Sequence, residues 1–354
     1  MKLLHSAFKP TRLNILSGVL VCLCAWLSFP ATAQEVATIH FQPNSNELPF
    51  ADIFGKIVED EQGYMWFGTE KGLFYYDGYQ FRTIKLPKQI KRKTLLGLQQ
   101  ADNGTLVVSN LAGEILFKPP GADSLHILVP CDSFPDNFLS FIDLDGNNLL
   151  LVARSVKDPS KISIFIHDLE TGNCKDRCVL PTNRSIFRNP EALLINDKVY
   201  YMRLDKTIKG RTIEMADSLK DIHPDIQWVG AHALYKSGKS TLINHKVSRR
   251  ENQERDEWFY KVDLQNLSKH YLHGPIDDFD LVNYIDIDHQ KNFWLLSESG
   301  AIVLDSVGRD VYLLPNRNRI LEDRYLHNMI NSKDNSYWFG SLGTGLFHIP
   351  NIST

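Results

Sequence analysis

Beyond residue 34 the chain alternates short apolar runs with clusters of Gly, Asn and Asp. No long stretch repeats its apolar residues about every 3.6 positions, which an amphipathic helix requires. Short runs rich in aromatic and β-branched residues, bounded by turn residues, indicate β-strands. The pattern therefore predicts an all-β fold and excludes helical bundles and doubly wound folds.

The clearest repeat unit spans Lys56–Phe81. Its turns contain Gly63, Gly72 and Gly78, which supply the positive φ angles that tight hairpins need. Four strands are predicted in it, at Ile57–Glu59, Met65–Gly68, Leu73–Tyr76 and Gln80–Ile84. The unit is predicted to be a four-stranded antiparallel meander.

Two further copies of the unit keep its tryptophan. Trp294 lies six positions after Asp288, as Trp66 lies six positions after Asp60. A third copy contains Trp338. Weaker copies place Val107 and Leu149 at the tryptophan position. Two more units are inferred from length more than from pattern, at 191–202 and 229–243, with later strands at 212–215 and 258–264.

The units recur about every 41–44 residues, a period typical of a propeller blade. The prediction is a β-propeller of four-stranded antiparallel blades, with seven as the favoured number. The last unit ends near Pro350 after three strands, whereas Ala37–Phe41 precedes the first complete unit. Since an open ring exposes two sheet edges, the N-terminal strand is predicted to complete the C-terminal blade.

The N-terminus carries basic residues up to Arg12, an uncharged apolar run at 13–29, and the small triplet Ala31–Ala33. This order is typical of a secretory signal peptide. Residues 1–33 are predicted to be cleaved off, leaving 34–354 as the propeller in the periplasm or outside the cell. An uncleaved membrane anchor is the alternative, because the apolar run is near the lower limit for spanning a bilayer.

Charge and cysteine content restrict the partners and cofactors. The formal net charge of −3 gives no reason to expect nucleic acid as a partner. The basic run Lys85–Lys93 is interpreted as a solvated loop between blades. Export leaves Cys131, Cys174 and Cys178, an odd number, and a local disulfide between the last two is feasible. No second ligand pair accompanies them, so neither a metal nor another cofactor is expected.

Residues 60–81 closely resemble the two-component regulator propeller repeat, with its D-x-x-G-x-x-W-x-G-T-x-x-G-L core. In that family such repeats form the periplasmic sensor region of bacterial histidine kinases and hybrid two-component regulators, many of them associated with oligosaccharide sensing. The resemblance implies a small-molecule ligand, with an oligosaccharide as the suggested class. It also implies a membrane-linked histidine kinase module as partner, in cis or in trans, and is compatible with a homodimer of the full-length sensor.

The chain departs from the family in carrying about one propeller and no kinase core before Thr354. Two expectations follow: the sequence is the sensor region of a longer protein, which is the favoured one, or it is a soluble sensor that acts through a separate partner.

The signature tryptophans Trp66, Trp294 and Trp338 could stack on a sugar ring. They lie in the middle of short apolar runs, and the blades of a propeller bury both faces of their strands. Core packing is therefore predicted for all three.

Other chemistry is sparse. The segment Asp143–Asn148 resembles the start of a calcium loop but lacks its final acidic ligand, so it is interpreted as a hairpin turn. The acidic residues at 277–280 are interpreted as a solvated loop. His270 and His273 are expected on opposite faces of a strand. No catalytic motif is found, and the domain itself is not expected to be an enzyme.

A ligand site is predicted at the mouth of the central channel, where the loops between the second and third strands of the blades converge. The residues in those loops are Glu70, Lys71, Glu298, Ser299 and Ser341. The leading hypothesis is a ligand-sensing propeller of a two-component system. The alternatives are a protein-interaction scaffold without a small-molecule site and, third, a glycan-active hydrolase or lyase that assembles carboxylates from distant blades.

Overall fold

The computed structural model describes residues 37–128, 282, 284–305, 309–311 and 319–350, together with the strands and short turns between 137 and 273. Among the side chains of that middle region, those of 143–151, 163 and 165–174 are described. Every regular element in the described part of the chain is a β-strand.

The strands form four-stranded antiparallel sheets. The first three sheets in chain order are β2 (Ile53–Glu59), β3 (Met65–Thr69), β4 (Gly72–Tyr76), β5 (Phe81–Thr83); β6 (Leu95–Gln100), β7 (Leu106–Asn110), β8 (Ile115–Lys118), β9 (His126–Ile127); and β10 (Asn137–Asp145), β11 (Asn148–Ser155), β12 (Lys161–Asp168), β13 (Cys174–Pro181).

The next two sheets lie in the region where the repeat units were inferred from the length of the chain more than from its pattern. They are β14 (Ala192–Ile195), β15 (Lys198–Asp205), β16 (Gly210–Met215), β17 (Gln227–Trp228); and β18 (Ala231–Ser237), β19 (Thr241–Arg249), β20 (Arg255–Asp263), β21 (Lys269–His273). The strands predicted at 212–215 and 258–264 are therefore confirmed, although β16 begins two residues earlier and β20 begins three residues earlier and ends one residue earlier.

The C-terminal sheets are β22 (Tyr284–Ile287), β23 (Phe293–Ser297), β24 (Gly300–Leu304), β25 (Arg319–Ile320); and β26 (Leu326–Asn331), β27 (Tyr337–Ser341), β28 (Leu346–Ile349) with β1 (Ile39–Phe41) as its fourth strand. Ile39 lies opposite His348, and Phe41 lies opposite Leu346. The prediction that the N-terminal strand completes the C-terminal blade is confirmed.

The first strands of successive sheets contact one another from β2 to β26, and β26 contacts β2. The prediction of an all-β propeller with four-stranded antiparallel blades is confirmed, whereas the number of seven blades stays a prediction. One close approach within this ring requires a glycine. Gly55 in β2 has a φ of 72°, and a Cβ placed there would lie 2.8 Å from the backbone oxygen of Leu96. This glycine lets β2 run against β6.

The core consists of apolar clusters between neighbouring sheets. Trp66, Trp294 and Trp338 are each at most 5% exposed, which confirms the prediction that they pack in the core. The glycine two positions after Trp66 could leave room for an indole of the neighbouring sheet, but no indole lies there. Gly68 instead lies against Leu95 of the next sheet.

Several sequence-based interpretations can be compared with the fold. Asp145 ends β10 and Asn148 begins β11, so the calcium-like segment is a hairpin turn. Lys85–Lys93 forms an exposed loop between β5 and β6. Cys174 is disulfide-bonded, and its partner lies outside the described side chains. The predicted signal peptide at 1–33, Cys131, the acidic residues at 277–280 and the side chains of His270 and His273 also lie outside what the structure describes. Within the described residues, no helix is long and apolar enough to cross a membrane.

Candidate functional site

The turn between β3 and β4 carries two of the predicted site residues, and both are held by neighbouring backbone. The Glu70 carboxylate accepts the amide hydrogens of Ala51 and Asp52, at 2.9 and 3.1 Å. The Lys71 ammonium donates to the Pro49 carbonyl at 2.6 Å and to the Asn44 side chain at 2.7 Å. Both side chains thus fasten the turn to the segment that enters β2.

The turn between β27 and β28 lies beside that segment. Ser341 is fully buried, and its hydroxyl donates to the Gly345 carbonyl at 2.6 Å. The Gly343 amide donates to the Asp52 carboxylate at 2.8 Å. Because Asp52 also binds Glu70, the structure brings the Glu70 and Ser341 turns together at one end of the propeller.

The turn between β23 and β24 has its own surroundings. The Ser299 amide donates to the Ser297 hydroxyl at 3.0 Å. Glu298 is exposed, and its charge adds to burial in raising the pKa of Tyr325. No hydrogen bond among the described residues joins this turn to the Glu70 or Ser341 turns. The structure does not test whether these five residues contact a ligand, so that role stays a prediction.

A cavity of about 270 Å³ lies elsewhere, between the sheet β2–β5 and the sheet β6–β9. It opens beside the β2–β3, β6–β7 and β8–β9 turns, away from the turns that carry the predicted residues. Its lining includes an acidic residue, a lysine and four apolar or aromatic residues: Asp60, Lys118, Tyr64, Trp66, Tyr75 and Leu106. This volume lies just below the range of about 300–1,000 Å³ typical of sites for drug-sized ligands, so it suits a single ring.

The indole in this cavity is positioned by the preceding turn. Trp66 donates its Nε1–H to Asp60 at 2.8 Å. The other oxygen of Asp60 accepts the amide hydrogens of Gln62 and Tyr64, both at 2.9 Å. One carboxylate therefore shapes the β2–β3 turn and fixes the indole that follows it.

Two tyrosines extend the aromatic wall. Tyr75 lies opposite Trp66 on the neighbouring strand, with ring centroids 4.8 Å apart. The ring of Tyr64 lies 5.4 Å from that of Tyr75. Aromatic faces of this kind bind apolar ring faces, while their polar edges reach solvent or ligand hydroxyls.

Lys118, at the end of β8, provides the cationic part of the cavity. It is 8% exposed, and its Nζ lies 4.8 Å from the centroid of the Trp66 ring. Within the described part of the chain it donates no hydrogen bond and forms no salt bridge. Burial lowers the pKa of Lys118, and the charge of Asp60 opposes this shift only in part.

The equivalent contact around Trp294 is closed. Trp294 donates its Nε1–H to Asp288 at 2.9 Å, as Trp66 does to Asp60. Tyr337 from the next sheet packs on the indole with ring centroids 4.7 Å apart, and Ile349 belongs to the same apolar cluster. The tyrosine hydroxyl also donates to Asp288, at 3.3 Å.

The chemistry of the Trp66 cavity is that of binding. It combines an aromatic wall, a buried ammonium and a carboxylate whose oxygens are already used in hydrogen bonds. Among the described residues, no group of His, Cys, Asp and Glu could hold a metal ion. Sequence reasoning missed Lys118, although one signal was present: it pairs with Leu106, and the corresponding pair in the last sheet is Tyr337 and Ile349.

Comparison with known proteins supports the fold and the repeat. Residues 47–71 match the family described as two component regulator propeller. A comparison with curated proteins gives no match. Among solved structures, the extracellular domain of a hybrid two component system from B. thetaiotaomicron is 17% identical with a TM-score of 0.54, and the alignment covers 89% of this chain and 42% of that one.

Two other similar structures come from different functional classes. A WD40 β-propeller domain is 12% identical with a TM-score of 0.54, over 89% of this chain and 95% of that one. A virginiamycin B lyase from Staphylococcus aureus is 11% identical with a TM-score of 0.56, over 89% and 99%. At these identities the likenesses show the fold alone.

The chain thus spans about two fifths of the length of the B. thetaiotaomicron domain. Its match at residues 47–71 overlaps the first half of the stretch at 60–81 from which the resemblance was predicted. The resemblance is confirmed: this β-propeller carries a repeat of the two component regulator propeller family.

Proposed function

We propose that the chain is the ligand-sensing propeller of a two-component signalling system and acts outside the cytoplasm. The observation that carries the proposal is the match of residues 47–71 to the two component regulator propeller family. The likeness to an extracellular domain of a hybrid two component system supports the same function and the same side of the membrane. The ligand is an extracellular small molecule, with an oligosaccharide as the leading class.

The signal passes from the propeller to a membrane-linked histidine kinase module, in cis or in trans, and a homodimer of the full-length sensor is the expected assembly. The Trp66 cavity suits the first step of this relay, because it is lined by two different sheets. A ligand held there contacts both sheets and favours one arrangement of them over others.

A scaffold that binds proteins without a small-molecule site is the first alternative, and a glycan-active hydrolase or lyase is the third candidate. The similarity to virginiamycin B lyase favours the broader class of lyases and gives no support for a glycan substrate. We infer that the domain is not itself an enzyme, since its sequence carries no catalytic motif.

A thermal-shift screen of the protein against oligosaccharide fragments tests the proposal. A ligand at about 100 times its Kd stabilises the native state by about 2.7 kcal/mol, which raises the melting temperature by several degrees. The expected result is a concentration-dependent rise with at least one fragment and unchanged fragments in the supernatant. Shorter products would favour the enzyme, and a melting temperature that no fragment changes would contradict the sensor.

A further inference from the structure

The ammonium of Lys118 has no hydrogen-bond or ion-pair partner within the described part of the chain, although its Nζ still reaches water. The side chain is 8% exposed and lines the cavity beside Trp66. An ammonium carries three hydrogen-bond donors, and burying it without acceptors is unfavourable. Its contact with the indole face is attractive but satisfies none of those donors. Its acceptors are therefore water or a molecule that enters the cavity and displaces that water.

The internal repeat shows that this position does not need a lysine for folding. Lys118 is the cross-strand partner of Leu106, the residue just before the tryptophan position of its unit. The same position is filled by Ile349 in the last sheet and by Tyr76 in the first. Ile349 lies in the cluster of Trp294, and Tyr76 packs on Trp338 at 5.6 Å. The first and last sheets thus pack an apolar or aromatic side chain at this position, whereas the sheet β6–β9 has a cation there.

The nearby carboxylates do not complete the pairing. Asp60 uses one oxygen for Trp66 and the other for two backbone amides. Glu61 and Asp123 line the opening, but both are exposed to water, which screens their charges. The inner part of the cavity therefore offers donors on Lys118 and aromatic faces on Trp66 and Tyr75.

We propose that this cavity binds a single sugar ring that bears a carboxylate, a residue of the uronic acid type, with the carboxylate on Lys118 and the ring against Tyr75. The inference rests on the proposed sensor function for its biological meaning and names the ligand class of that sensor. The carboxylate oxygens accept hydrogen bonds from the ammonium, and charge-assisted hydrogen bonds are roughly twice as strong as neutral ones. The apolar face of the ring packs on the aromatic wall, and its hydroxyls reach the polar rim.

The test is calorimetric titration of the protein with sodium glucuronate and with glucose, which differ in the carboxylate, at matched ionic strength. Glucuronate is expected to bind at least about tenfold more tightly, because hydrogen bonds to charged groups contribute about 1.5–3 kcal/mol. Lys118→Met keeps the length of the side chain and removes the charge, so it abolishes the preference. Lys85→Met, in the exposed loop between β5 and β6, is the matched control and retains the preference.

The melting temperature without ligand separates a binding residue from a structural one. If Lys118 serves the ligand, Lys118→Met melts higher than the parent, since a partly desolvated charge without a protein partner has been removed. A lower melting temperature would mean that the lysine stabilises the fold, and it would overturn the proposal. So would equal affinity for the two sugars, no binding of either, or a preference that persists in Lys118→Met.

These outcomes are distinct from those of the oligosaccharide screen. Neutral fragments that stabilise the protein equally with and without Lys118 would leave the sensor function standing and remove the carboxylate site. Conversely, binding of glucuronate that depends on Lys118 supports the site even if no fragment in the screen acts.

Discussion

Two tryptophans at equivalent positions of the repeat, Trp294 and Trp66, face the next sheet in different surroundings. Each donates its indole N–H to an aspartate six positions earlier, at 2.9 and 2.8 Å. Tyr337 and Ile349 then cover Trp294 completely. Leu106 and Lys118 occupy the corresponding positions beside Trp66 and leave a cavity of about 270 Å³.

The comparison separates what the repeat determines from what it leaves open. The aspartate, the turn and the tryptophan recur because they form the hairpin and fix the indole. The residues that cover the indole belong to the next unit, so they can change without disturbing the hairpin. In this chain one such change produces a closed core contact, and the other produces a cavity with a charge in it.

The most severe test of this comparison is Ile349→Lys, which places a lysine beside Trp294 at the position that Lys118 holds beside Trp66. Because Tyr337 fills the space there, the ammonium would be buried without water or acceptors, and we expect a loss on the order of 5 kcal/mol. Chemical denaturation followed by tryptophan fluorescence measures it. A loss below about 1 kcal/mol, typical of surface substitutions, would show that the two contacts are equally open.

Replacement of each tryptophan by alanine should give the next largest effect. Trp294→Ala removes a fully buried ring from a closed cluster, and about 3–5 kcal/mol is expected. Trp66→Ala should cost about 1–2 kcal/mol less, because a side chain that lines a cavity has fewer packing contacts to lose. The free energies of unfolding of the two variants, measured side by side, check the difference. Equal losses would contradict a difference in packing.

Much of the fold could be predicted from the sequence because local rules determine the hairpins. The strand expected at Met65–Gly68 is found at Met65–Thr69, and Gly63 and Gly72 have the positive φ angles that the turns require. The start of β2 was placed four residues late, at Ile57 in place of Ile53. That portion carries Gly55, and its strand conformation depends on contact with β6, which no local pattern reveals.

Filling the cavity should have a smaller and opposite effect. Leu106→Tyr introduces a tyrosine next to Trp66, at the position equivalent to that of Tyr337 beside Trp294. Because it fills the cavity, the free energy of unfolding is expected to rise by about 0.5–2 kcal/mol. The same variant should bind glucuronate more weakly than the parent, because the ring space is occupied. Unfolding and titration on one preparation check both. A destabilised variant with unchanged affinity would place the ligand elsewhere.

The smallest effect is a rise of stability with pH that we expect from the Trp66 contact, whereas the raised pKa of Tyr337 gives the Trp294 contact the opposite trend above about pH 10. Burial lowers the pKa of Lys118 from its usual 10.5, so above the lowered value the unfolded chain binds more protons than the folded one. Stability therefore rises with pH through the window between the two pKa values. Lys118→Met lacks this rise, and its stability advantage over the parent should shrink between neutral pH and pH 10. An advantage that is constant across this range would contradict a buried ammonium.

The candidate site was less accessible to sequence reasoning than the fold. Glu70 lies in a turn as predicted, whereas Ser341 is the last residue of β27 beside that turn, and the polar groups of both bind neighbouring parts of the chain. Trp66 was correctly assigned to the core, yet one of its faces lines the cavity. Whether an indole is covered depends on the size and charge of side chains 40–55 positions away, which become neighbours only when two sheets pack.

The most direct measurement is the NMR signal of the indole N–H groups of Trp66 and Trp294 during titration with sodium glucuronate, assigned with single Trp→Phe variants. A ligand on Lys118 lies next to one indole and is excluded from the other by Tyr337. The expected result is a saturable shift of the Trp66 signal, absent in Lys118→Met, with the Trp294 signal unchanged. A Trp66 signal that stays fixed, or moves together with that of Trp294, would contradict a binding site at the open contact.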